Sequence, residues 1–122
     1  MLPSTPPGPE TASPQLPPWD EAAALAAVDG DGRLARQLVA ALIAELPEDI
    51  AELKAVAARH DPRALAETAH HLRGATRSCG VLALDAALDH LEQAAAAADV
   101  ARAAIHLARV EVEVARLTDA FS

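Results

Sequence analysis

Apolar residues recur along most of the chain at steps of three and four, the repeat of a helix that buries one stripe. The clearest run is Leu65, Ala69, Leu72, Thr76 and Cys79. With about 100° per residue, these five positions stay within about 40° of one line. Val81, Leu84, Leu88, Leu91 and Ala95 repeat the pattern, leaving Asp85, Asp89 and Glu92 toward water. Val100, Ala104 (or Ala103), Leu107, Val110, Val114, Leu117 and Phe121 carry it to the end. Between about Gly32 and Arg59 there are two stripes, one of Leu34, Leu38, Ala41, Leu42 and Glu45, the other of Val39, Ile43, Leu46, Ile50 and Leu53. A helix with two apolar sides belongs at the centre of a bundle or carries a docking strip for a partner.

The breaks between stripes are marked by capping chemistry. Asp20 suits the N-cap of a short helix over Glu21–Val28, with Trp19 closing one end of the core. Asp29-Gly30-Asp31-Gly32 ends that helix. Its calcium-loop look fails at Arg33, which stands where a third oxygen ligand is needed, and at the missing glutamate of loop position 12, so it reads as a turn. Pro47 must kink the long second helix or restart it. Asp61 and Pro62 form a cap and first-turn pair for a helix running to about Cys79. Gly80 suits the left-handed residue that ends it. A fourth long segment follows from Val81 to about Ala97, and Asp99 caps the last. A lead helix and four long helices with short connections predict an all-α, up-and-down antiparallel four-helix bundle over residues 19–122. Residues 1–18 hold seven of the nine prolines and predict a disordered lead-in or linker.

Composition narrows the picture. Trp19 and Phe121 are the only aromatic residues, and alanine and leucine dominate, which favours packed helices over sheet. A net charge of −8 argues against nucleic acid, whose phosphates would be repelled. Cys79 stands alone, so no intrachain disulfide is possible, and its place on the buried stripe makes it a core residue. No signal peptide and no membrane-spanning run are visible, so the expected setting is the cytoplasm.

The candidate chemistry lies on the outer side of the Leu65–Cys79 helix. His70 falls about 140° from the buried line, among Arg63, Arg73 and Arg77 at about 160°, 80° and 120°. Gly74 lies one turn further on the same face, at a cost of about 1 kcal/mol relative to alanine. Because helical side chains lean toward the N-terminus, glycine there leaves the imidazole uncovered. An open imidazole beside guanidinium groups suits a nucleophile that takes up and releases a phosphoryl group. His71 lies on the other flank, outside the arginine lane. Glu67 and His70 have the spacing of a di-iron Glu-x-x-His motif, but no second copy exists and both face outward. His60, His90 and His106 are scattered. There is no phosphate-cradling glycine loop and no nucleophile elbow, so neither a kinase nor a hydrolase is indicated.

Ala69-His70-His71-Leu72-Arg73-Gly74, with Gly80 ten residues after His70 and Leu91-Glu92 further on, resembles the histidine phosphotransfer (HPt) domain of bacterial phosphorelays. The resemblance covers roughly residues 19–121, with Arg73 where the family usually has lysine. It favours one long kinked helix through Pro47 and implies that His70 is phosphorylated at Nε2. It also implies partners, a response-regulator receiver domain and a hybrid sensor histidine kinase. Arg73 and Arg77 become candidates for charge stabilisation. No carboxylate cluster is expected beside His70, so the chain is read as having no cofactor of its own and the receiver as supplying Mg²⁺. Without the resemblance, the same residues would fit a helical interaction module with no phosphotransfer.

Overall fold

The computed structural model describes residues 16–122, and its regular structure is entirely helical. The helices are α1 (Glu21–Ala27), α2 (Gly32–Ala58), α3 (Pro62–Thr76), α4 (Leu82–Ala96) and α5 (Val100–Ala120). Most of the predicted lead-in, residues 1–15, lies outside the described residues.

Aspartate starts four of the five helices. The side chains of Asp20, Asp31, Asp61 and Asp99 accept from the backbone N–H of Ala23, Leu34, Ala64 and Arg102 at 2.9–3.1 Å. Each satisfies a donor that the first turn leaves without a partner, an effect of about 1 kcal/mol per cap. Helix α4 has no side-chain cap, and its N-cap residue Val81 is buried instead. Pro47 does not break α2. It is exposed, so water can serve the carbonyl left without an N–H, while Leu46 and Leu53 hold both halves of the helix in the core.

Packing runs from α2 to α3, α3 to α4, α4 to α5 and back from α5 to α2, with α1 against α2. The predicted stripe is buried in full: Leu65, Ala69, Leu72 and Thr76 of α3 face inward, and so does Cys79, although the helix ends at Thr76, three residues earlier than expected. Leu84, Leu88, Leu91 and Ala95 of α4 face inward too. Leu46, Leu53, Leu88, Leu91 and Leu117 are among the largest fully buried side chains, each stabilising by about 1.5–3 kcal/mol.

Several expectations from the stripes fail. On the first stripe of α2, Leu34, Ala41 and Glu45 are exposed and only Leu42 is buried, so the core takes the other side of that helix. Val100 is exposed too; like Leu34, it sits in the first turn of its helix, before the bundle closes around it. Glu113, unremarked in the sequence, is 2% exposed within α5. A buried carboxylate is tolerated only when paired, and Arg109 and Arg116 hold it at 2.9 and 2.6 Å. Arg116 also donates to the Leu16 carbonyl at 3.0 Å, tying the start of the described chain to α5.

The lead helix is fastened to the turn after α3. Trp19 Nε1 donates to the Cys79 carbonyl at 2.8 Å, and Asp20 N–H donates to the Gly80 carbonyl at 2.8 Å. Trp19 meets Phe121 edge-on at 5.2 Å, closing that end of the core as predicted. Gly80 has φ +75°, and a Cβ there would lie 2.6 Å from the Asp20 carbonyl oxygen. Only glycine allows both the left-handed turn and this close approach.

Candidate functional site

Helices α3 and α4 lie side by side, and each carries a polar seam along the edge of their contact. Residues at i, i+3 and i+6 of α3 are His70, Arg73 and Thr76; residues at i, i+4 and i+7 of α4 are Asp85, Asp89 and Glu92. The two seams face each other.

Arg73 is at the centre. Its Nε and Nη2 donate to the two oxygens of Asp85 at 3.2 and 3.4 Å, a bidentate fork. Its Nη1 donates to Asp89 at 2.9 Å and to Glu92 Oε1 at 3.3 Å. The Asp85 hydrogen bond is the main reason the guanidinium pKa is raised above its ordinary value, opposed by burial and helped by the charge of Asp85 and Asp89. Thr76 Oγ1, itself buried, donates to Asp85 at 2.8 Å and so fixes the carboxylate from the core side.

Glu92 passes this network on to His70. With Oε1 on Arg73, its Oε2 accepts from Nδ1–H of His70 at 2.9 Å. That hydrogen bond selects the tautomer whose proton is on Nδ1 and whose lone pair is on Nε2. The His70 side chain is 68% exposed, and Nε2 makes no hydrogen bond among the described residues. Beneath it, Ala69 and Leu72 are buried and fix the helix to the core. A Cβ built at Gly74 meets nothing within 4 Å, so the space above the imidazole is open.

Several expectations change here. Arg73 is not part of an exposed basic lane: its side chain is 13% exposed and is occupied by three carboxylates. Asp85, Asp89 and Glu92 do not simply face water; they form the carboxylate cluster that was not expected beside His70. Both rows lie at the edge of the α3–α4 contact, and adjacent rows of opposite charge pair rather than hydrate. The signal was present as an acidic i, i+4, i+7 row and a basic row, but which helices adjoin is a tertiary fact. Arg63 pairs loosely with Glu67 at 3.6 Å, both exposed. Arg77 is the C-cap of α3, is exposed, and makes no ion pair among the described residues.

His71 points elsewhere. It lines a groove between α2 and α3 with Asp49, Glu52 and Thr68. The Asp49 carboxyl is pushed above its ordinary pKa by burial and then by Glu45, Glu52 and Glu48, so His71 sits in an acidic setting with no guanidinium at hand. Among the described residues, no group of three or more His, Cys, Asp or Glu is arranged to hold a metal ion. No helix there is long and apolar enough to cross a membrane.

His70 thus stands on the outer face of a helical bundle with its proton on the shielded side, its lone pair on the open side and a clear approach. The family model of the Hpt domain matches residues 37–120, and the chain belongs to this family of two-component phosphorelay modules. Over 93 residues it is 42% identical to the sensor histidine kinase GacS of Pseudomonas protegens, an alignment covering 70% of this chain and 10% of that kinase. The chain therefore spans about a tenth of the length of this relative. No solved structure matches the chain.

Proposed function

We propose that this protein is a phosphocarrier that accepts a phosphoryl group on His70 Nε2 from a receiver-domain phosphoaspartate and passes it to an aspartate of another receiver. The observation that carries this reading is the Glu92–His70 hydrogen bond, which leaves Nε2 as the free, solvent-facing nitrogen. The helix order and short connections support the up-and-down antiparallel bundle of the family, which sets His70 on an outer helix face within reach of a partner.

In the forward step, the Nε2 lone pair attacks the phosphorus of the phosphoaspartate. An N–P bond forms, the acyl O–P bond breaks, and the aspartate leaves as a carboxylate. The proton on Nδ1 stays where it is. Positive charge develops over the imidazole ring, and the Glu92 carboxylate stabilises it from the far side. Arg73 fixes Glu92, so in this reading it acts as a positioning residue and does not touch phosphate. Arg77, exposed and one turn further on, is the guanidinium left to meet phosphate oxygens. Mg²⁺ and the reacting aspartate belong to the receiver, a hybrid sensor kinase is the upstream source, and the setting is cytoplasmic.

A two-way label experiment tests this. A receiver charged with radiolabelled phosphate is mixed with the chain, the labelled chain is purified, and a second receiver is added with Mg²⁺. Label should enter the chain and then leave it for the second receiver. Absence of label with a panel of receivers would favour an interaction module without phosphotransfer.

A further inference from the structure

The outer face of α5 is apolar where a surface helix should be polar. Ala101, Ile105, Ala108, Val112 and Ala115 follow one another at steps of four, three, four and three, and all five are exposed. Ile105 is 65% and Val112 is 47% exposed. The inner face of the same helix is already buried through Ala103, Val110 and Leu117. Helix α5 is therefore apolar on two opposite sides, and the bundle uses one of them. This four-three repeat, about two heptads long, has the spacing of a short two-helix coiled-coil seam.

The edges of the seam identify what fits it. Arg102, Arg109 and Arg116 recur every seven residues along one edge. Ala104, Glu111 and Thr118 recur every seven along the other. When two copies of α5 pair in parallel, each arginine edge faces the other edge, and Glu111 of one copy comes opposite Arg116 of the second, which keeps its hold on Glu113 and is 27% exposed. When they pair antiparallel, each edge faces itself, arginine against arginine and Glu111 against Glu111. Glu111 is free to turn, because its pair with Lys54 is 3.6 Å long and exposed at both ends. Since α5 packs against α4 and α2, pairing through its outer face leaves His70 on α3 open.

We infer that this chain self-associates as a parallel, two-fold dimer through the outer face of α5, presenting two His70 sites. Most of the seam positions are alanine, so the association is weak and concentration-dependent.

Sedimentation equilibrium from about 1 µM to about 1 mM covers the range of a weak dimer. The mass should rise from 12.6 kDa toward twice that value. The Ile105→Glu, Val112→Glu double variant should stay monomeric while keeping its melting temperature and its capacity for label at His70. Ala101→Cys and Ala115→Cys, made separately and oxidised, should each cross-link to themselves; the parent chain, whose Cys79 is buried, is the control. A mass of 12.6 kDa throughout overturns the proposal. So does a dimer unaffected by the double variant, or cross-linking only between the two different cysteine variants, which marks antiparallel pairing. Dimerisation that appears only after removal of residues 1–15 would assign the face to that segment and overturn it as well.

Discussion

Gly74 and Gly80 stand six residues apart and should respond to alanine in opposite ways. At Gly74 a Cβ meets nothing within 4 Å, and the residue lies inside α3. Gly74→Ala should therefore gain helix propensity without a clash, about 0.5–1 kcal/mol. For a folded unit of this size that raises the melting temperature by about 3–6 °C. At Gly80 a Cβ would lie 2.6 Å from the Asp20 carbonyl oxygen and 2.8 Å from Ala24, with φ at +75°. Left-handed strain of about 1–2 kcal/mol and overpacking of about 1–3 kcal/mol combine, so Gly80→Ala should melt well below the parent. Function should follow a different order. Gly74→Gln is still a good helix former, but its side chain leans toward the turn that holds His70. Stability should stay at or above the parent, while the rate of label transfer falls about tenfold or more, given the ~10²-fold cost of misplacing reacting atoms by 1 Å. Thermal melts and single-turnover labelling of the three variants check this. A destabilised Gly74→Ala would refute the open-space argument, and full-rate labelling of Gly74→Gln would refute the clearance argument.

Arg73→Ala should lower stability by about 1–3 kcal/mol in denaturant melts, because it strips hydrogen bonds from three carboxylates at once. Arg73→Lys should recover only part of that, since one ammonium cannot span both oxygens of Asp85 and reach Asp89 and Glu92. Full recovery would show that charge alone matters. Glu92→Ala should release the imidazole tautomer: ¹⁵N spectra should show the Nδ1–H form in the parent and a shift toward Nε2–H in the variant, with slower labelling. An unchanged tautomer would remove Glu92 from the account. His106 is pushed below its ordinary pKa by burial, then by His90 and Arg102. The folded chain thus binds fewer protons than the unfolded one between that lowered value and about 6.5, so stability drops as pH falls through this window. Denaturant midpoints at about pH 8 and about pH 5 should show a smaller difference in His106→Gln than in the parent.

The fold was legible because each helix states its own limits. Asp20, Asp61, Asp99 and Pro62 mark starts by local chemistry, and the stripe through Leu65, Ala69 and Leu72 marks a buried side by period, whereas Gly80 closes the turn four residues past the last residue of α3 instead of ending the helix itself. Asp31 looks from sequence like part of a turn, yet it also caps α2. His70 and Gly74 were placed on the outer face by the same angular argument. What period cannot supply is the identity of the neighbouring helix. Asp85, Asp89 and Glu92 look like solvated residues on α4 alone, and only the α3–α4 contact turns them into the partners of Arg73 and His70. Glu113 escaped for a related reason: an acidic residue beside an apolar line looks exposed until Arg109 and Arg116 close over it.

The central claim is that one nitrogen of one histidine carries the phosphoryl group. The most direct measurement is to label the parent chain, His70→Gln and His71→Gln from the same phosphorylated receiver and to examine the bound phosphate. His70 is exposed, so its replacement should change stability by no more than about 0.5 kcal/mol. Acid-labile, base-stable label is expected on the parent and on His71→Gln, with the Nε2-linked ³¹P signature, and none on His70→Gln despite an unchanged melt. Label retained by His70→Gln and lost from His71→Gln would contradict the central claim.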